Sequence, residues 1–216
     1  MRAKDAGSPD SGAIGATEDA GACRPARQGD SDLIVKQVPS SVIRIRRAEP
    51  DDVAFMVELA NHADVAPFLG ARRARDEAGI REQIERSQGE PASFGRLIIE
   101  VDGVRAGVMG YHVVNERNRI AHLEALAVHP DFRGNRIADE AARLLQRYLI
   151  GELGFHRLEL ECYAFNERAI AHAERAGFVC EGRKRKAYER DGEWVDSVLF
   201  ALVAEDLHES DTGTGS

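Results

Sequence analysis

One stretch of the sequence, residues 123–138 with the letters LEALAVHPDFRGNRIA, constrains the fold more than any other. It begins within an apolar run, residues 120–128, that predicts a β-strand. His129-Pro130 ends this strand, because proline lacks the amide donor of a sheet ladder. A basic turn with one glycine then leads into residues 139–149, where apolar residues at helical spacing predict an amphipathic helix. The stretch therefore predicts a strand, a turn and a helix N-terminus in direct succession.

The turn at residues 132–138 is suited to binding an anion. Amide groups in the first turn of a helix have no acceptor inside the helix, and the helix dipole places partial positive charge there. An ordinary strand-to-helix loop with solvated arginines would give the same letters, because one glycine is a weaker signal than a glycine-rich loop. From the residues alone, both interpretations stay open.

Residues 126–134, LAVHPDFRG, resemble the acetyl-CoA signature of the GNAT superfamily of N-acetyltransferases. The superfamily pattern is Arg or Gln, two residues, Gly, one residue, and then Gly or Ala. Arg133 and Ala138 match this pattern, whereas Arg136 stands where the first small residue is expected. The Cβ of Arg136 limits how closely a ligand can approach the backbone at that point.

Two further blocks support the resemblance. Residues 166–169, NERA, and residues 176–178, AGF, are similar to the downstream Asn-x-x-Ala helix and the Gly-Phe end of that family. Residues 181–196 resemble the branch that contains the ribosomal-protein-alanine acetyltransferases. Together the likeness covers residues 42–204, which we interpret as one N-acetyltransferase domain.

The segments outside this domain differ from it in composition. Residues 1–38 are rich in Gly, Ala, Ser and Asp and lack apolar periodicity, so we predict a disordered N-terminal tail. For residues 205–216 we predict a flexible C-terminal tail.

Periodicity within the domain predicts alternating strands and helices. Residues 42–46 alternate and predict the first strand, and Asp102-Gly103 predicts a two-residue turn between the strands of a hairpin. Asn166 and Gly177 are suited to begin and end a short helix. The resemblance implies the arrangement: an α/β fold with a mixed, mostly antiparallel central sheet, flanking helices and a parallel strand pair that splays apart.

The resemblance also implies acetyl-CoA as co-substrate, with no metal. The splayed strands would expose backbone groups that can pair with the amide-rich pantetheine arm. Asn166 would add a contact to that arm and would cap its helix as well. The other residues implied in binding are Leu126, Ala127 and Val128 for the pantetheine, and Arg133, Gly134, Asn135, Arg136, Ile137 and Ala138 for the pyrophosphate.

Acetyl transfer to an amine requires a group that takes a proton from the amine. Glu124 directly precedes the residues expected to pair with pantetheine, and in a regular strand His122, Glu124 and Leu126 share one face. We therefore predict Glu124 as the base, acting directly or through water. His122 is the alternative, because an imidazole titrates near neutral pH. His122-Leu123-Glu124 also mimics the H-x-E of zinc deaminases, but the P-C-x-x-C that those enzymes require is absent.

One feature of the superfamily is missing from this chain. Many members have a tyrosine four residues before the Gly-Phe end, which protonates the departing thiolate, and Ala173 stands there instead. Unassisted departure costs roughly 2 kcal/mol, because a thiol of pKa about 8.5 lies only ~1.5 units above neutral pH. Tyr188 or water could substitute. Such a site favours an acceptor of low amine pKa, such as an α-amino group.

We therefore predict an acetyl-CoA-dependent N-acetyltransferase that works by direct transfer in a ternary complex. The acceptor is a peptide N-terminus, a polyamine, an amino sugar or an amino acid, and the family resemblance implies that the loop at residues 62–73 with its adjoining helices selects it. Because of Arg136 and Ala173, a non-catalytic acyl-CoA-binding or sensory module stays the alternative. A nucleotide-binding protein is disfavoured, since the turn lacks a Gly-Lys-Ser/Thr end.

Composition restricts the partners and the location. The formal net charge of -8 argues against general nucleic-acid binding. No apolar run reaches the length of a membrane span, and the N-terminus has no signal-peptide core. Cys23, Cys162 and Cys180 form no C-x-x-C pair, which disfavours disulfides and a zinc site. We expect a cytoplasmic monomer or homodimer without a membrane partner.

Overall fold

The computed structural model describes residues 32–38, 41–70 and 76–207, and within them the chain forms one eight-stranded sheet. The spatial order is β1-β2-β3-β4-β5-β6-β8-β7, and every neighbouring pair is antiparallel except β5 and β6. The predicted mixed, mostly antiparallel sheet is confirmed. The strands are β1 Asp32–Val38, β2 Ser41–Arg47, β3 Phe94–Val101, β4 Val104–Asn115, β5 Ile120–Val128, β6 Arg157–Tyr163, β7 Val179–Arg190 and β8 Glu193–Val203.

Four α-helices flank the sheet in the described part of the chain: α1 Val53–Asn61, α2 Glu77–Gly89, α3 Ile137–Arg147 and α4 Glu167–Arg175. A π-helical turn, Tyr148–Glu152, continues α3. The predicted signals around α4 are confirmed. The Asn166 side chain accepts a hydrogen bond of 3.1 Å from the Ala169 amide, and Gly177 has φ 89° just after the helix.

The helices cover opposite faces of the sheet. α3 and α4 pack on one face against the larger core, which includes Tyr111, Leu144 and Phe200. α1 and α2 pack on the other face against two smaller clusters, one of which includes Ile84 and Ile98. The cluster that a strand residue joins therefore shows which face of the sheet its side chain occupies.

β5 and β6 pair along only part of their length. Residues 120–123 lie opposite residues 157–160 in a parallel ladder. Beyond these pairs β5 continues to Val128, whereas β6 stays bonded to β8 as far as Tyr163. The two strands therefore splay apart beyond Leu123, as predicted, and β6 no longer covers that side of the β5 backbone.

A β-bulge in β5 lies where the two strands separate. Glu124 stands opposite Gly110 of β4, and the next pair joins Ala127 to Val108, so two residues of β5 face one residue of β4. Ala125 has φ 65°, a left-handed conformation that costs a non-glycine residue about 1–2 kcal/mol.

The bulge reverses the alternation of side chains along β5. Leu123 before the bulge and Leu126 after it both contact the larger core, whereas Ala127 joins a cluster on the opposite face. The expectation that Leu126 shares a face with His122 and Glu124 is therefore wrong. That expectation assumed that side chains alternate between the two faces along the whole of β5. The extra residue in the bulge shifts this alternation by one residue.

The predicted N-terminal tail contains a strand. Residues 32–38, assigned to the disordered tail, form β1, which pairs with β2 from Asp32 opposite Arg46 to Val38 opposite Ser41. The sequence of β1, DLIVKQV, contains β-branched residues that favour a strand once an edge is available to pair with. The strand predicted at residues 42–46 is therefore β2. Residues 1–31 lie outside the described residues.

The predicted C-terminal tail begins within ordered structure. Residues 204–207 are helical, and Leu207 packs against the larger core. The Asp206 carboxylate accepts a hydrogen bond of 3.0 Å from the Val203 amide. The rest of that tail, residues 208–216, and residues 71–75 of the predicted acceptor loop lie outside the described residues.

Two truncations test the contribution of β1. A chain that begins at residue 41 loses β1 and leaves β2 at the edge of the sheet. We expect its melting temperature to fall by at least about 4 °C, which corresponds to ~1 kcal/mol for a domain of this size. A chain that begins at residue 32 keeps β1 and should melt within about 1 °C of the full chain. Equal melting temperatures for both truncations, by circular dichroism, would contradict a structural role for β1.

Candidate active site

The turn between β5 and α3 has the backbone of an anion-binding loop. A short 3-10 turn, Pro130–Phe132, follows β5, and Gly134 and Arg136 then adopt φ 93° and 54°. Left-handed residues that alternate with extended or helical ones direct successive amides toward one side, where an anion can bind. A Cβ at Gly134 would meet no atom within 4 Å, so the space beside this residue is open.

Arg136 holds the strained position of this turn. It is the N-cap of α3, and its left-handed φ is the conformation that a glycine adopts without penalty. No side-chain cap hydrogen bond is formed at this N-cap, within the described part of the chain. The Arg136 side chain thus departs from the superfamily pattern, while its backbone has the left-handed conformation that a glycine adopts without penalty.

The Arg133 side chain ties the turn to the loop that follows α1. Its Nε donates to the Val128 carbonyl at 3.2 Å, and its Nη1 lies 3.3 Å from the Asp64 carboxylate. The arginine therefore bridges the end of β5 and the predicted acceptor loop. We find the other predicted phosphate-binding residues, Asn135, Ile137 and Ala138, in the turn and the first turn of α3.

The predicted pantetheine residues lie along the open side of β5. Leu126, Ala127 and Val128 follow the bulge, and β4 covers only one edge of their backbone. Across the gap, the Asn166 amide donates to the Tyr163 carbonyl at the end of β6 at 2.9 Å. The structure thus places Asn166 at the end of one splayed strand and the three pantetheine candidates at the end of the other.

The two candidate bases belong to one charged cluster. Glu124 Oε1 lies 2.6 Å from Nη2 of Arg96, and Glu124 Oε2 lies 3.6 Å from Nδ1 of His112. The His112 and His122 rings are 5.2 Å apart, because these residues stand opposite each other on β4 and β5. Sequence reasoning missed Arg96 and His112. The available signal was an arginine in β3, FGRLIIEV, a strand that is otherwise apolar except for Glu100.

The environment of the cluster favours a neutral imidazole. Burial lowers the pKa of His122, the neighbouring His112 lowers it further, and the nearby carboxylates of Glu124, Glu161 and Glu159 oppose this shift only in part. His122 is therefore uncharged at neutral pH and able to accept a proton. Burial also lowers the pKa of the Arg96 guanidinium, and the Glu124 charge opposes that shift.

A small cavity of about 40 Å³ lies beside the bulge, between the sheet and the α1–α2 layer. Its wall is mainly apolar, and Ala125 and Ala127 of β5 form part of it. Arg96 and Gln83 are the polar residues of this wall among the residues that the structure describes. The cavity is therefore lined by Arg96, which contacts Glu124, and by Ala125, which follows Glu124 in the chain.

An arginine from the β7–β8 hairpin holds the loop after α1. Arg190 donates to the carbonyls of Leu69 at 2.8 Å and Pro67 at 2.6 Å, and its guanidinium lies 5.3 Å from the centre of the Tyr163 ring. Phe68 of the same loop lies 6.3 Å from the exposed Phe165 ring. These contacts, which the sequence did not predict, join the acceptor loop to the mouth of the splayed strands.

Neither Ala173 nor Cys162 offers the site a proton donor or a reactive nucleophile. Ala173 is fully buried in the larger core, so the position of the usual tyrosine is occupied by packing. Burial raises the pKa of the Cys162 thiol to about 11, which leaves it a poor nucleophile. Tyr188 is exposed and packs edge-on against Tyr163, with ring centres 5.6 Å apart.

Asp139 connects the two helices that carry candidate cofactor residues. It lies in the first turn of α3 with 1% exposure, and it binds His172 Nδ1 at 2.7 Å and Arg175 Nε at 2.8 Å. Burial alone would raise the pKa of Asp139, but the hydrogen bonds from Arg175 and His172 outweigh burial and hold it below its ordinary value. The start of α3 is thereby fixed to the last turn of α4.

Comparison with known proteins shows the family. The chain matches the Acetyltransferase (GNAT) family model over residues 56–178, which is more than half of its length. The chain therefore belongs to the acetyltransferase (GNAT) family, and the predicted enzyme class, an N-acetyltransferase, is confirmed.

Individual relatives agree with this family. The spermidine N(1)-acetyltransferase of Escherichia coli (strain K12) is 25% identical over 168 residues, which cover 74% of this chain and 85% of the relative. Mycobacterium smegmatis RimJ in complex with CoA-disulfide shares the fold, with a TM-score of 0.70, 22% identity and coverage of 82% of this chain and 93% of that one. The Vibrio cholerae spermidine N-acetyltransferase in complex with CoA and spermine has a TM-score of 0.70 at 18% identity, and the match covers 77% of this chain and 98% of that one.

Among the described residues, no helix is both long and apolar enough to cross a membrane.

Replacing Asp139 tests the connection between α3 and α4. We expect Asp139→Asn to lower the unfolding free energy at pH 7 by about 2 kcal/mol, below the 3–5 kcal/mol typical of a broken buried pair, because Arg175 is half exposed. A carboxyl whose pKa is depressed by folding stabilises the protein above its unfolded pKa and loses that effect as the pH falls. The difference between variant and wild type should therefore shrink below about pH 4.

The control for this prediction is Asp131→Asn, which changes an exposed carboxylate in the neighbouring 3-10 turn. The urea denaturation curves of Asp131→Asn should match those of the wild type at pH 7 and at pH 3. A stability loss for Asp139→Asn that is equally large at pH 7 and pH 3 would show that its carboxylate charge is not the source of the stabilisation.

Proposed function

We propose that this protein transfers an acetyl group from acetyl-CoA to a primary amine, by direct attack within a ternary complex. One observation carries the proposal: β5 separates from β6 at a bulge and leads directly into a turn with two left-handed residues at the start of α3. An extended amide-containing arm fits the gap, and a pyrophosphate fits the turn. The acetyl thioester would then lie at the bulge, next to Glu124.

The cofactor assignment follows from the chemistry of the exposed groups. The backbone of Leu126, Ala127 and Val128 offers the amides and carbonyls that the pantetheine arm needs. The amides of residues 133–138 and the positive end of the α3 dipole would bind the pyrophosphate. Asn166 would contact the arm from the opposite strand while its Oδ1 continues to cap α4.

We propose Glu124 as the proton acceptor for the attacking amine, directly or through water. Its carboxylate lies on the face of the sheet that carries the cavity beside the bulge, and its side chain is 21% exposed. His122 is the alternative acceptor, since burial keeps it neutral at pH 7. The thiolate would leave with a proton from water, because Ala173 offers no donor and unassisted departure costs only roughly 2 kcal/mol.

The acceptor that fits this site best is an amine of low pKa, such as a peptide α-amino group. At pH 7 a lysine-like amine costs ~4–5 kcal/mol to deprotonate, against about 1 kcal/mol for an α-amino group. The relatives named above include spermidine acetyltransferases, and a structural neighbour at 19% identity is the ribosomal L7/L12 alpha-N-protein acetyltransferase RimL.

A panel of peptide N-termini, polyamines, amino sugars and amino acids, assayed for release of free thiol, tests the proposal. Acetyl-CoA binding without thiol release from any acceptor would favour the non-catalytic alternative.

Two glycines of the same conformation separate ligand binding from backbone strain. Gly134 and Gly192 both have positive φ, 93° and 86°, and a Cβ at either would meet no atom within 4 Å. Replacing either with valine strains the backbone similarly, but only Gly134 lies in the proposed pyrophosphate turn. We expect Gly134→Val to weaken acetyl-CoA binding by at least about tenfold, ~1.4 kcal/mol, and Gly192→Val to leave it unchanged. Equal affinities of the two folded variants by calorimetry would remove the turn from the site.

Two conservative substitutions test the base. Glu124→Gln keeps the shape of the side chain but accepts no proton, so turnover at neutral pH should fall by roughly 10²–10⁴-fold. The loss should shrink as the pH rises toward the pKa of the acceptor amine, because the acceptor then arrives neutral. His122→Gln should change turnover much less. If pH–rate profiles instead show a crippled His122→Gln and a near-normal Glu124→Gln, His122 is the base.

A further inference from the structure

Arg96 is a buried cation that reaches across two strands. It stands on β3 with 6% exposure, in register with Gly110 of β4, and Gly110 is in turn in register with Glu124 of β5. Strands two positions apart lie roughly 9–10 Å from each other. The Arg96 side chain spans this distance and ends 2.6 Å from the Glu124 carboxylate.

The guanidinium of Arg96 is fixed from several sides. Its Nε donates to Oε1 of Gln83 on α2 at 2.8 Å, and its Nη1 donates to the Gly95 carbonyl at 3.2 Å. The ring of Phe94 lies 4.4 Å from its Cζ. An arginine held by hydrogen bonds and an aromatic face presents its remaining N–H groups in one orientation, which a lysine does less well.

Gly110 makes this crossing sterically allowed. A Cβ at Gly110 would lie 2.4 Å from Nη1 of Arg96 and 2.7 Å from the Gly95 carbonyl oxygen. Any other residue at this position would displace the guanidinium from Glu124. Arg96, Gly110 and Glu124 therefore act together. Because Gly110 on the middle strand has no side chain, the Arg96 side chain can cross that strand and reach Glu124.

We propose that Arg96 is the positioning residue for Glu124: it fixes the carboxylate at the bulge and favours its ionised form as the pH falls. This inference rests on the proposed function, in which Glu124 accepts the proton of the acceptor amine. A positive charge in contact with a carboxylate favours the ionised form. Arg96 thus extends the range of pH in which Glu124 is ready to accept a proton.

Several other charged groups face the Glu124 region. His112 on β4 and His122 on β5 lie on the same face, and Glu159 and Glu161 on β6 act on His122. α2 contributes Arg86, which acts on Arg96 through space. Of the groups named here, Arg96 is the one that carries a permanent positive charge and lies within salt-bridge distance of the Glu124 carboxylate.

The test compares kcat of variants and wild type from about pH 3.5 to pH 9 with one good acceptor, because an unpaired glutamate ordinarily titrates near 4.3. The ratio of variant to wild-type kcat cancels the titration of the acceptor amine, which all variants share. For Arg96→Gln this ratio should stay near its plateau at high pH and fall at low pH, by up to about tenfold if the acid limb, the fall of kcat at low pH, moves upward by roughly one unit. The KM for acetyl-CoA should not change, because Arg96 does not lie in the proposed cofactor site.

Three further variants separate positioning from loss of packing. Arg96→Lys keeps the positive charge, so its acid limb should lie close to that of the wild type. Gly110→Ala keeps every charged group but displaces Arg96, so it should shift the acid limb in the same direction as Arg96→Gln. Arg86→Gln is the matched control: the Arg86 guanidinium also lies close to the Phe94 ring, 4.3 Å from its centre, but it is exposed and pairs with Glu90. It should leave the profile unchanged.

Each outcome decides the inference. A pH-independent loss in Arg96→Gln, or an acid limb that does not move in either Arg96→Gln or Gly110→Ala, would overturn it. If Arg96→Gln does not fold, Gly110→Ala and Arg96→Lys carry the comparison. Glu124→Gln distinguishes this failure from failure of the proposed function. An acid limb that survives in Glu124→Gln shows that Glu124 is not the base, whereas one that vanishes there but persists unshifted in Arg96→Gln refutes only the role of Arg96.

Discussion

The site depends on a parallel strand pair that is held open. β6 is bonded to β8 along its whole length, so it cannot follow β5 when the bulge at Ala125 turns that strand. Backbone groups at such an opening need a partner, and the proposed pantetheine arm would supply one. The left-handed backbone of Ala125 is strained, and the strand pairing on either side of this residue holds it in that conformation. The gap is therefore a property of the sheet and does not depend on any single side chain in it.

Buried charges on the α1–α2 face keep this frame in register. Arg46 of β2 lies between Asp52, 2.6 Å away, and Glu100 of β3, 2.7 Å away. Arg96 makes the corresponding connection from β3 to β5. Burying such pairs contributes little net stability, because desolvation offsets most of the attraction. Their effect is on position: an ion pair across strands penalises any shift of register that separates the charges.

The parts of the fold that were predicted from the sequence are those with local causes. The Asp102-Gly103 turn and the Asn166 cap follow from the conformations and hydrogen bonds of residues close in the chain. β1 was missed because its stability comes from a partner strand. The bulge at Ala125 was missed because the letters after Glu124, ALAV, are all apolar and carry no sign of a change of face. Glu124 was predicted from its place before the cofactor motif. Its partner Arg96 could not be, since their contact depends on the register of three strands.

The bond between the β7–β8 hairpin and the acceptor loop has a consequence for engineering. Arg190 accounts for the position of the carbonyls of Pro67 and Leu69, although more than a hundred residues of chain separate them. Exchanging this loop for that of a relative would leave the transplanted backbone without its anchor. A chimaera that exchanges this loop would need both segments from the same donor, because the two segments form one discontinuous module that the linear sequence divides.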